Sequence, residues 1–125
     1  MNRDEVLLKI RPKVATKINY EISSSEAFQN KTLRPILKFQ NDLIVYLFWN
    51  SKTLAKINFD KKDVIEKKSI IADLMKNDQK LKDQIEACVY SFMTSSELDY
   101  YFENRSEMKR RSNTMVIERL IDNLA

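Results

Sequence analysis

The chain has 125 residues and a net charge of +4, with 22 basic groups set against 18 acids; a chain this long buries about two-thirds of its unfolded surface in one core. It contains no histidine and no glycine, which removes imidazole acid–base chemistry, His-rich metal sites and Gly-rich phosphate loops. Twelve aromatic residues argue against disorder, and tight hairpins are hard to turn without glycine, so the expected fold class is all-α.

In chain order, Asn2 and Glu5 have the spacing of a helix N-cap and its box partner, which predicts a helix over residues 3–10 that stops before Pro12. Residues 11–23, RPKVATKINYEIS, show no period and are expected to form an ordered arm pinning Val14, Ile18, Tyr20 or Ile22 onto the body. Ser23 and Glu26 again stand at capping-box spacing and open a long helix.

Leu33, Ile36, Leu37, Leu43, Ile44, Leu47 and Phe48 fall on one helical stripe of that segment, interrupted by Gln40. A second stripe, Phe28, Thr32, Pro35, Phe39, Tyr46 and Trp49, keeps phase across Pro35 and favours one kinked helix over two. The proline frees the Lys31 carbonyl and costs about 3 kcal/mol inside a helix, which packing must offset. Apolar residues on two faces predict the central helix of the fold. A buried strand over 43–49 fits the residue types, but nothing nearby pairs with it.

Asp60 and Asp63 mark the next start, with Val64, Ile71, Leu74 and Met75 giving a helix over about 61–76. Residues 78–93 carry the cleanest stripe, Leu81, Ile85, Cys88, Val89 and Phe92. Thr94 and Glu97 form a capping box that opens a short helix with Leu98, Tyr101 and Phe102 turned inward. Asn104 with Glu107 begins the last helix, whose Val116, Ile117, Leu120, Ile121 and Leu124 pack back on the core. The expectation is a single domain over residues 1–125, a compact bundle of five to six helices around a long, Pro-kinked central one.

The longest apolar run is seven residues, far short of the roughly 20 that span a bilayer, and the N-terminus lacks a signal-peptide core. A lone cysteine, Cys88, fits a reducing compartment, so a cytoplasmic protein without membrane contact is expected. Cys88 lies on an apolar stripe and reads as a small core residue, not a nucleophile. No catalytic residue, cofactor or metal is assigned.

Charge is unevenly distributed. Residues 83–103 hold five acids and no base, while residues 52–82 hold nine lysines against five acids. The acidic stretch with its tyrosines, together with excess apolar character at 39–49, points to an interaction module that binds a protein partner or its own copy as a homodimer. Tyr46, Trp49, Glu97, Asp99 and Tyr100 are its candidate contacts. The bland alternative for the acids is a solvated face.

A second reading is a nucleic-acid-binding accessory protein using Lys61, Lys62, Lys67 and Lys68, and Arg105, Lys109, Arg110 and Arg111. A third is a small-ligand site or enzyme beside Pro35, formed by Glu26, Asn30, Arg34 and Gln40 and requiring a pocket there. The structural alternative pairs Arg34 with Glu26 or another acid and has Gln40 satisfy a backbone group.

The runs EAFQNKTLRPILKFQNDLI (Glu26–Ile44), MNRDEVLLKIRPK (Met1–Lys13) and TMVIERLIDNL (Thr114–Leu124) resemble a group of small bacterial proteins often labelled "glyoxalase". Enzymes of that name use a βαβββ fold and bind a divalent metal through His, Glu or Gln. This chain has no histidine and no strand pattern, so no catalytic residue carries over. The resemblance implies a compact helical protein, with the label a misannotation.

Overall fold

The computed structural model describes residues 2–12 and 23–124 and is all-α, with no strand among them. Its helices are α1 (Arg3–Ile10), α2 (Ser24–Phe28), α3 (Arg34–Trp49), α4 (Lys52–Ala55), α5 (Val64–Asn77), α6 (Gln79–Tyr90), α7 (Ser95–Glu103) and α8 (Arg105–Asp122). A π-helical turn, Gln29–Leu33, joins α2 to α3, and a 3₁₀ turn, Phe59–Lys61, follows α4. The expected arm at Val14, Ile18, Tyr20 and Ile22 lies outside the described residues.

Helix starts follow the sequence signals. Asn2, Ser23, Asp63 and Thr94 each accept a backbone N–H from the residue three ahead. Only Thr94 completes the reciprocal box, with its own N–H donated to Glu97 at 2.8 Å. Asn104 does not cap α8; its amide donates back to the Tyr100 carbonyl at 3.0 Å. No described residue has a positive φ, so no helix here ends in the left-handed turn that glycine usually supplies. The chain instead turns on shared residues: Asp78 closes α5 in an extended conformation and caps α6 with its carboxylate.

Helices α3, α6, α5 and α8 pack in a ring, each against two neighbours, with α3 diagonal to α5. Leu33, Ile36, Leu37, Ile44 and Phe48 from the α3 side meet Ile71, Leu74 and Met75, Leu81, Ile85 and Val89, and Met108, Val116 and Leu120. Each fully buried Leu or Ile contributes about 1.5–3 kcal/mol. In a ring each helix is covered on two sides only, so the second apolar stripe of α3 stays in water: Phe39, Tyr46 and Trp49 are 45, 64 and 44% exposed. Helix α3 is therefore one wall of the bundle and not an enclosed centre. Leu43, Val64 and Phe102, expected inward, are also exposed; Val64 sits at the first position of α5, ahead of the turns that meet the core.

The backbone remains helical from Ser24 to Trp49, and a wide π turn precedes Pro35. There the Arg34 N–H reaches back five residues to the Gln29 carbonyl. The Lys31 carbonyl, four residues before the proline, receives Arg11 Nη2 at a long 3.4 Å.

Candidate functional site

The π turn rotates the chain so that Gln29 and Arg34 face the same way, toward α8. Five residues apart in a plain α-helix they would lie about 140° apart. Helix α8 meets them with Arg110, Arg111, Thr114 and Glu118, and the groups enclose a cleft of about 270 Å³. Three guanidinium groups thus converge on one concavity, with Glu118 as its acidic lining residue among those described.

Two of the three are held from behind. Arg111 donates through Nη1 to Gln29 Oε1 at 2.8 Å and through Nε to Glu107 Oε1 at 3.2 Å. Arg34 donates through Nε to Asn30 Oδ1 at 3.0 Å. The remaining donors of each fork stay open, which suits a planar guanidinium to bidentate contact with an oxyanion. Arg110 is exposed and makes no ion pair among the described residues. Beyond Arg34 lies Arg119, whose Nη1 donates to Asn41 Oδ1 at 3.3 Å. Burial, and then the nearby Arg34 charge, hold the Arg119 pKa below the usual arginine value.

The sequence candidates are dispersed by the fold. Arg34 and Asn30 meet at the cleft, but Arg34 makes no ion pair with Glu26; it turns to the neutral amide one turn back. Gln40 points elsewhere and donates to the Cys88 carbonyl of α6 at 3.0 Å, tying two core helices. Cys88 is half-buried, and burial raises its pKa, away from the thiolate.

The basic set also divides. Arg105 and Lys109 share a face of α8, and that face grips Glu86: Arg105 Nη2 lies 2.7 Å from Oε1 and Lys109 Nζ 4.0 Å. Arg110 and Arg111 turn to the cleft instead. Lys67 lies over the Phe59 ring at 5.6 Å. Lys61 ends the 3₁₀ turn, Lys62 follows it, and Lys68 is on the exposed side of α5.

Of the partner candidates, Tyr46, Trp49 and Asp99 are exposed. Tyr100 stacks on Phe28 at 4.7 Å. Glu97 turns inward and holds the polar junction of α1, the π turn and α7. It accepts from Arg11 Nη2 at 3.1 Å, Thr32 Oγ1 at 2.6 Å and the Thr94 N–H at 2.8 Å. Glu86 accepts from Tyr101 Oη at 2.7 Å as well as from Arg105. Burial alone would raise both carboxyl pKa values, but the hydrogen bonds and charges outweigh it and leave both lowered. Both are ionised structural anchors, fully engaged by their donors.

Sequence reasoning overlooked Gln29, Asn41, Thr114, Glu118 and Arg119. The 3.6-residue period of α8 does place Arg111, Thr114 and Glu118 on one face, but no sequence signal marks the π turn that brings Gln29 round to them. Among the described residues no cluster of three or more metal-ligating side chains occurs and no helix is long and apolar enough to cross a membrane. Comparisons with family models, curated proteins and solved structures find no match. The chemistry of the cleft rests on its own geometry.

Proposed function

We propose that this chain is a non-enzymatic helical binding module whose cleft between the π turn and α8 takes an anionic, phosphate-bearing ligand. The observation that carries the reading is the convergence of Arg34, Arg110 and Arg111 on one concavity, two of them braced by Asn30, Gln29 and Glu107. Like charges brought together repel, and an oxyanion between them turns that repulsion into charge-assisted hydrogen bonds. Bracing lowers the entropy lost on binding, because the forks are already aimed.

Titration of ¹⁵N-labelled protein with inorganic phosphate tests this. Shifts confined to Gln29, Arg34, Arg110, Arg111 and Thr114, lost in Arg111→Gln, are expected. Absence of any saturable shift at millimolar phosphate would overturn the assignment.

A second reading, an interface for a protein partner or a second copy, is favoured by the exposed face of α3. Phe39, Leu43, Tyr46 and Trp49 together leave more aromatic surface in water than a small helical bundle needs to. Its measure is solution mass against the 14.8 kDa chain; a monomer at high concentration counts against the homodimer.

A further inference from the structure

We infer that the anion taken by this cleft is one link of a phosphodiester strand, so that the module binds single-stranded nucleic acid along α3 and α8. The inference rests on the cleft being an anion site and adds what lies beside it.

The cationic groups extend past the cleft. Arg119 follows Arg111 by eight residues, about 12 Å along α8, with Arg34 of α3 close enough to both to line the cleft and to perturb Arg119. Arg119 is partly buried, is held by one neutral amide at 3.3 Å, and makes no ion pair among the described residues. A cation taken part-way out of water beside another cation is poorly compensated, and Asp122 relieves it only in part. A single phosphate in the cleft cannot also reach a group about 12 Å further on. A strand, which carries a phosphate roughly every 3.4 Å of helix axis, supplies several over that length.

Next to this row lie aromatic rings. Lys38 follows Arg34 by one turn of α3, and Phe39 and Tyr46 lie about 100° and 80° round the helix from Lys38. Tyr46 is the more exposed, at 64%, and its hydroxyl has no hydrogen-bond partner among the described residues. Exposed rings flanking a cationic track are the means by which proteins hold unpaired bases: phosphates take the charges and bases stack on the rings. A duplex keeps its bases stacked on one another and cannot use them. Asp42 stands between Lys38 and Tyr46 and opposes the strand, as Glu118 opposes an anion in the cleft.

Fluorescence anisotropy with a labelled oligothymidylate of about 12 nucleotides, the matching duplex, and unlabelled tripolyphosphate as competitor tests the inference. The single strand should bind more tightly than the duplex. Arg119→Gln should reduce the slope of log affinity against log salt by about one. Tyr46→Ala should weaken the strand five-fold or more and leave the phosphate titration unchanged, and Asp42→Asn should tighten the strand. Phosphate binding in the cleft without these effects would overturn the strand and leave the anion site standing. Strand binding indifferent to Arg34→Gln and Arg119→Gln would place nucleic acid on the α5 lysines and overturn it too. Failure of phosphate and strand alike removes both assignments.

Discussion

Arg11, the residue that ends α1, places both Nη atoms of its guanidinium on the two carboxylate oxygens of Glu97 in α7, 86 residues away in the chain. The Arg11 side chain is only 7% exposed, and it also approaches the Phe92 and Lys31 carbonyls at 3.3 and 3.4 Å. Of α1, only Leu7 is buried. Polar contacts, including Arg3 donating to the Met93 and Ser91 carbonyls at 2.7 Å each, thus dock this helix more than apolar area does. Arg11→Met leaves a mostly buried carboxylate without its cation and should cost about 3 kcal/mol, or about 10 °C in Tm. A loss under 1 kcal/mol by urea unfolding would show the pair to be incidental.

The same carboxylate sets an acid limit. Glu97 and Glu86 both have folded pKa values below the ordinary 4.5. The stability they contribute is therefore present above about pH 4.5 and is lost as pH falls through the lower folded values. Unfolding free energy measured from pH 7 downward should stay level and then fall below about pH 4.5. In a Glu86→Gln, Glu97→Gln double variant that fall should be shallower. An equal fall in the double variant assigns it to other acids.

Tyr101 gives a cleaner hydrogen-bond measurement. Its ring is 1% exposed, and its hydroxyl donates to Glu86 Oε2 at 2.7 Å, where Arg105 Nε also donates at 3.1 Å. Burial, reinforced by the Glu86 carboxylate, pushes the phenol pKa far above the tyrosine range. Tyr101→Phe keeps the ring and removes one donor to a charged acceptor, so about 2 kcal/mol should be lost. Spectroscopic titration should find one tyrosine that ionises only on alkaline unfolding and is missing from the variant.

How much of this was legible in sequence follows from what periodicity can carry. Helix starts at Asn2, Ser23, Asp63 and Thr94 were readable because a cap is a local hydrogen bond. The core stripe of α3 was readable because Leu33, Ile36, Leu37, Ile44 and Phe48 keep one helical phase. The fate of Phe39 and Tyr46 was not, since it depends on how many neighbours α3 has, which is a tertiary fact. Glu97 was read as a surface charge because nothing near it in sequence reveals Arg11 and Thr32, 86 and 65 residues away. The cleft was half visible: Arg34 was singled out beside Pro35, and Arg110 and Arg111 in the last helix. Their union needed the π turn, which breaks the 3.6-residue period on which sequence reasoning relies.

Glu118 offers the sharpest test of the cleft. It lines the same concavity as Arg34, Arg110 and Arg111 and forms no ion pair with them among the described residues. If the cleft holds an anion, this carboxylate opposes it, because a like charge in a partly solvated cleft is unfavourable by about 1 kcal/mol at contact range. Glu118→Gln should therefore tighten phosphate about five-fold, with little change in stability, because the side chain is exposed. The opposite sign is equally informative. Were Glu118→Gln to weaken phosphate, the carboxylate would be positioning an arginine, and the loss should then also appear in Arg110→Gln without adding to it. If neither variant alters phosphate affinity, the anion is not in this cleft, and the exposed aromatic face of α3 becomes the surface to probe.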